Sequence, residues 1–180
     1  SYTGKEHLDP VKDSWNNWVY TVSLNGSFNG EKAVKSQSLS NSLSANRITE
    51  DWKIKLHTSA DYQADKFQTA AGALTSLSRS YNFYGRMIKS LDDHWSAGVG
   101  GDMESGTYDN LRLKSGIGPT VEYNIFPYSQ SVKKRLCLQY RVNYNSVRYE
   151  AETIYNKTYE SLWQESLGII LDVNEKWGTI

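Results

Sequence analysis

The sequence predicts an all-β fold, an antiparallel up-and-down β-barrel that crosses a membrane. Apolar residues recur at every second position through most of the 180 residues. That is the period of a strand, whose side chains alternate between two faces. The alternating runs are mostly 9 to 13 residues long, whereas globular strands average about 5 or 6 and bilayer-crossing strands need about 9 to 11. Aromatic residues make up 13% of the chain, with 13 Tyr and 6 Trp, although the mean hydropathy is only −0.63. Rings with an apolar body and a polar tip suit a membrane interface.

The first strand is "WVYTVSLNGSFNG", residues 18–30, with Trp18, Tyr20, Val22, Leu24 and Phe28 on one face and Thr21, Ser23, Asn25, Ser27 and Asn29 on the other. The second, "VKSQSLSNSLSANR" (34–47), resembles a serine-rich linker in composition. It is a strand because Leu39, Leu43 and Ala45 keep step between Ser36, Ser38, Ser40, Ser42 and Ser44, with Asn41 the exception. The third, "WKIKLHTSADY" (52–62), sets Trp52, Ile54, Leu56, Ala60 and Tyr62 against Lys53, Lys55, His57, Ser59 and Asp61. The fourth, "LSRSYNFYGRM" (77–87), sets Leu77, Tyr81, Phe83 and Met87 against Ser78, Ser80, Asn82, Tyr84 and Arg86, with Arg79 breaking the apolar face. The fifth, "WSAGVGGDM" (95–103), sets Trp95, Ala97, Val99 and Met103 against Ser96, Gly98, Gly100 and Asp102. In the sixth, "LRLKSGIGPTVEYNI" (111–125), Leu111, Leu113, Ile117, Val121, Tyr123 and Ile125 oppose Arg112, Lys114, Gly116, Gly118, Thr120, Glu122 and Asn124. Pro119 has no ladder donor and predicts a bulge or local irregularity. The seventh, "RLCLQYRVNYN" (135–145), sets Leu136, Leu138, Tyr140, Val142 and Tyr144 against Arg135, Cys137, Gln139, Arg141 and Asn143. The eighth, around "SLGIILDV" (166–173), keeps the pattern apart from Ile170, and "WGTI" begins a ninth.

Alternation alone leaves two readings open. A soluble barrel turns its apolar face inward, and an outer-membrane barrel turns it outward. Small residues dominate the polar faces of the second and fifth strands, which suits a confined lumen better than a solvated surface. The connections after even strands ("NRITED", "KSLDDH", "PYSQSVKK", "NEK") are mostly short. Those after odd strands ("NGEKAVK", "QADKFQTAAG", "ESGTYDN", "YEAETIYNKTYES") tend to be longer. Short turns at one end and longer loops at the other are how bacterial barrels are built. The short-turn end also gathers Trp15, Trp18, Trp52, Trp95, Tyr123, Phe126, Tyr128 and Trp177, an expected aromatic girdle; Trp163 alone belongs to the opposite rim. The expected organisation is a periplasmic polar arm over 1–14 and an outer-membrane barrel over 15–180, incomplete at its carboxy end.

Composition narrows the functional classes. Twenty basic and 20 acidic residues cancel, so nothing points to a nucleic-acid partner. A single cysteine, Cys137, allows no internal disulfide. "SYTGKEHLDPVKDS" has no apolar h-region, so any signal peptide is expected to be removed or to lie outside the chain. His57, Ser59 and Asp61 suggest a catalytic set only superficially: neighbours at i and i+2 of one strand stand about 7 Å apart, too far for a nucleophile–base hydrogen bond. An outer-membrane hydrolase would need Ser and His on neighbouring strands at the lipid face, and His57 is expected on the other. No spacing suggests a metal site, and no cofactor is expected.

The expected lumen-facing residues are Ser36, Ser38, Ser40, Ser42, Ser44, Lys53, Lys55, His57, Asp61, Arg86, Asp102, Arg112, Lys114, Glu122, Arg135 and Arg141. Their balance leans cationic. In an open pore they would favour anions; in a narrow barrel they would pair as buried salt bridges.

The segments "VSLNGSFNGE", "SLSNSLSANRITEDWKI", "SLDDHWSAGVG", "PTVEYNIFPYSQS", "YEAETIYNKTYES" and "KWGTI" resemble a family of uncharacterised bacterial outer-membrane β-barrel proteins, over most of the chain from about Trp15. The resemblance implies a larger even-stranded barrel with further hairpins and carries no catalytic or ligand motif. The expected function is a non-enzymatic barrel, acting as a pore or as a membrane anchor for a periplasmic protein partner. A soluble barrel with an apolar ligand is the alternative, and an outer-membrane hydrolase is third.

Overall fold

The alternating segments form eight long antiparallel strands, each hydrogen-bonded to the next in chain order. The structure is a computed structural model that describes residues 13–32, 34–49, 51–69, 72–127, 134–175 and 178–179; the side chains of 134, 135 and 172 onward lie outside the described set. The strands are β1 (Trp18–Gly30), β2 (Val34–Ile48), β3 (Trp52–Thr69), β4 (Gly72–Ser90), β5 (Trp95–Gly106), β6 (Leu111–Asn124), β7 (Lys134–Tyr149) and β8 (Tyr159–Glu175), followed by the two-residue β9 (Gly178–Thr179). The sheet is an up-and-down meander that does not close: β1 pairs with β2, and β8 with β7 and β9. The expected antiparallel up-and-down meander is found, and the expected closure into a barrel is not: the described strands form an open sheet.

Register follows the sequence pattern, since a one-residue slip would exchange the two faces. Ser44 opposes Thr21 and His57, Ser40 opposes Asn25 and Asp61, and Leu39 opposes Gly26 and Tyr62. One face thus gathers the polar residues and the other the apolar ones, strand after strand.

The sheet curls with its polar face inside. Lys53 on β3 reaches Glu122 on β6, with Nζ 3.1 Å from Oε2. Three strand spacings in a flat sheet would separate them by about 14 Å. Arg141 on β7 likewise reaches past β6 to Asp102 on β5, at 3.0 Å. The concave face is accordingly the buried one: Ser96, Thr120, Glu122, Asn124, Asn143 and Asn145 are all buried, while Val22, Leu24, Ile117, Leu167 and Ile169 on the convex face are 62–75% exposed. Two glycines permit the tight curl. A Cβ on Gly98 would stand 2.1 Å from the Met87 carbonyl oxygen, and one on Gly118 1.7 Å from that of Val142.

The structure corrects several expectations. The connections run 31–33, 70–71, 107–110 and 150–158 at one end and 49–51, 91–94, 125–133 and 176–177 at the other. The expected contrast of short turns and longer loops is not found. "QADKFQTAAG" belongs instead to the hairpin of β3 and β4, strands of 18 and 19 residues that pair down to Thr69 opposite Gly72. Polarity reverses at its tip, where Val34 opposes Phe67 and Phe67 opposes Leu74 on the concave side. That reversal broke the expected pattern.

Pro119 causes an irregularity without a bulge: β6–β7 pairing passes from Ile117–Tyr144 to Thr120–Arg141 in unchanged register, skipping two residues. The register shifts lie at the far end of β6, between Leu111 and Leu113 against β7 and opposite Glu104–Gly106 against β5. Arg112 is the extra residue. Leu111, expected on the apolar face, consequently pairs with Gly106 and Tyr149 in the polar rows and is buried.

Candidate functional site: the concave polar face

Period-two sequence delivers every other residue to the concave face, and the curl decides which of them meet. Glu122 sits at the centre of the packed part, 2% exposed, where Lys53 Nζ reaches Oε2 and Gln139 Nε2 donates to Oε1 at 2.6 Å. One turn of the ladder away, Arg141 donates from Nη2 to Asp102 and from Nε to Asn143, and Asn143 donates weakly to the same carboxylate at 3.5 Å. Lys114 meets Glu104 at 3.5 Å in a more exposed pair. In these three pairings cationic and acidic side chains of the concave face meet, two of them part-buried and one more exposed. Arg86 lies over the Tyr84 ring at 5.4 Å, and its buried Nε has no hydrogen-bond partner among the described residues; the Ser96 and Thr120 hydroxyls, in the same sheet, share that condition.

The serine wall of β1 and β2 is built differently. Ser36 donates to Asp65 at 2.5 Å, Ser38 bonds Ser27 at 2.8 Å and Ser44 bonds His57 Nδ1 at 2.9 Å. Asp61 accepts from Ser80 at 3.2 Å. Ser40, Ser42 and Lys55 occupy polar rows of the same wall, opposite Asn25, Ser23 and Asn46. Of the residues expected inside, Arg112 is an exposed bulge residue that alternation no longer assigns to a face, and the Arg135 side chain lies outside the described residues.

Ser44 and His57 are a nucleophile–base pair in distance, brought together by neighbouring strands. His57 makes no hydrogen bond to a carboxylate among the described residues, and both lie on the polar face rather than the apolar one. Among the described residues no three His, Cys, Asp or Glu side chains cluster as metal ligands. No helix there is long and apolar enough to cross a membrane, which says nothing of strands.

Trp18, Trp52, Trp95 and Tyr123 all fall in apolar rows at the end of the 49–51 and 91–94 turns. Trp95 packs on Tyr123 with ring centroids 4.8 Å apart, Trp15 and Trp18 both pack on Tyr20, and Lys89 lies over Trp52 at 5.7 Å. Phe126 is part-buried beyond β6 at the same end. Tyr128 and Trp177 lie outside the described residues, as does the expected arm up to residue 12. In the 91–94 turn, Asp92 accepts from the N–H groups of Trp95 at 2.7 Å and His94 at 2.8 Å, which hold its carboxyl below the usual aspartate value.

Gln139, Asn143 and Asn145 are concave-face partners that a search for charges overlooks. Their odd numbering in β7, shared with Arg141, is the signal that places them. No protein-family model, no curated protein and no solved structure matches the chain.

Proposed function

We propose that the chain forms the wall of an outer-membrane β-barrel and acts, without catalysis, as a membrane anchor for a periplasmic protein partner. The observation that carries this reading is the inverted polarity of a curved sheet: charges and amides on the buried concave side, Leu, Ile, Val and aromatic residues on the exposed convex side. A soluble barrel with an apolar interior requires the opposite curl. Hydrocarbon cannot hydrogen-bond a backbone, so the complete barrel closes, either by β1 meeting β8 or through further strands. The height of the greasy surface agrees. Trp18 to Phe28 along β1 spans about 33 Å, which at a tilt of about 45° becomes roughly 23 Å, near the ~25 Å apolar band of such barrels.

The Lys53–Glu122 bridge favours the anchor over a wide pore, because it ties together side chains from strands three apart. A pore is the second reading, favoured by the half-open hydroxyl wall of β1 and β2. The hydrolase reading has only the Ser44–His57 pair behind it.

Detergent extraction followed by heat-modifiable gel migration tests the membrane reading. A chain that stays soluble and monomeric without detergent would end it. Planar-bilayer recording separates the two functional forms: the anchor predicts silence at all voltages, and steady single-channel steps would replace it with the pore.

A further inference from the structure

The convex face of β1–β4 has an uneven charge pattern. Among its described residues the charged side chains are Lys35, Arg47, Lys66, Arg79 and Lys89, and no carboxylate shares the face. Lys35 and Lys66 stand at one rim and Arg47 and Lys89 at the other, while Arg79 sits inside the apolar band opposite Tyr62. Arg47 and Lys89 are engaged at the tryptophan end, Arg47 Nε donating to the Asn16 carbonyl and Lys89 lying over Trp52. Lys35 and Lys66 differ. They are direct cross-strand partners, both exposed, and make no ion pair among the described residues. Like charges directly opposite in a sheet repel. Asp65, next to Lys66 in sequence, lies in the concave rows and bonds Ser36 and Gln63, and Glu31 makes no ion pair with either lysine among the described residues.

Immediately beside this pair the apolar surface is hollow. Two adjoining depressions of about 450 and 460 Å³ share Phe28, Gln37 and Tyr62 as lining. Gly26 and Ala64 leave the gaps, and Leu39 and Leu77 form further walls. Lys35 and Lys66 close one end, next to Ser36 and Asp65, which also border it there but whose side chains belong to the concave rows and bond each other. Arg79 stands across the strand pair from Tyr62, with its guanidinium over the Tyr62 ring at 5.9 Å. One row beyond the lysines, apolar side chains turn to the concave side, as Phe67 and Leu74 do, so the convex apolar band ends here.

We propose that this groove binds a phosphate-bearing anionic lipid, with an acyl chain along Phe28, Tyr62 and Leu77 and its headgroup between Lys35 and Lys66. The chemistry follows from position. An apolar trough running up to an unpaired cation pair at the limit of the greasy band accepts a molecule that is apolar below and anionic above. The proposal rests on the outer-membrane reading above.

The test is native mass spectrometry of the full chain, folded in dodecyl maltoside, titrated with dimyristoyl phosphatidylglycerol or dimyristoyl phosphatidylcholine. One phosphatidylglycerol should be retained at about tenfold lower concentration than phosphatidylcholine, the range that one or two charge-assisted hydrogen bonds supply. K35Q/K66Q should remove the preference, R47Q/K89Q should keep it, and Ala64→Leu should weaken both lipids by filling the groove. Inorganic phosphate should not displace the lipid. Equal retention of the two lipids, a preference surviving K35Q/K66Q, or displacement by inorganic phosphate would each overturn the lipid site while leaving the membrane reading intact. A chain that retains neither lipid and needs no detergent overturns both.

Discussion

The serine wall of β1–β2 and the packed wall of β5–β7 have the same alternation, the same strand direction rules and the same polar face, yet one is open and the other buried. Ser38 and Ser42 sit in rows with only neighbouring-strand partners. Glu122 and Asn143 have partners from two or three strands away. Polarity assigns a residue to the concave face; curvature decides whether that face becomes an interior. Where Gly98 and Gly118 let backbones close up, polar groups find one another and water leaves. Where the wall ends in the free edge of β1, hydroxyls bond only to near neighbours.

The largest expected break in that contrast comes from Glu122. Glu122→Ala should destabilise the folded sheet by about 3 kcal/mol, because it removes the buried carboxylate that both part-buried Lys53 and Gln139 bond. Urea unfolding in lipid vesicles measures it. Ser40→Ala in the open wall should stay within about 0.5 kcal/mol, and equal losses at the two sites would erase the distinction. Next is Gly118→Ala, which pushes a methyl into the Val142 carbonyl and should cost about 1–3 kcal/mol. Gly168→Ala meets nothing within 4 Å, and its unfolding midpoint should barely move. Smaller again is Lys114→Ala. Its pair with Glu104 is roughly two-fifths exposed, so a loss of about 0.2–1 kcal/mol is expected, read in the same titration.

The smallest effect is a pH dependence at the 91–94 turn. The Trp95 and His94 N–H groups depress the Asp92 pKa in the folded state. The resulting stabilisation is present above the ordinary aspartate value and is lost as pH falls through the depressed one. The protection of the Trp95 and His94 amides, measured against their intrinsic exchange at each pH, should fall in acid for the wild type, and Asp92→Asn should flatten that fall.

Much of the wall was legible because a two-residue period is a direct physical signal. The alternation marks β1 to its observed ends and β2 to within a residue, since it is nearly unbroken in both. The β3–β4 tip was read as a loop, because Phe67 and Leu74 occupy rows that are polar elsewhere. Leu111 was assigned to the wrong face because a single inserted residue, Arg112, resets the count, and no local feature of "DNLRLK" announces it. The meeting of Lys53 with Glu122, 69 positions apart, depends on curvature, which alternation does not encode. The Ser44–His57 pair follows from register, and register could have been counted back from the β2–β3 turn.

Alternation also governs what the chain presents before any strand has paired. Apart from Val19, between Trp18 and Tyr20, every greasy residue in β1 and β2 is flanked by a polar one, so no stretch there approaches the roughly 18 apolar residues that an inserted helix requires. An unfolded chain of this kind passes through water, and past machinery that sorts segments by continuous hydrophobicity, as a polar polymer. Its continuous apolar surface is a property of the assembled sheet and comes into being strand by strand as the hydrogen bonds form.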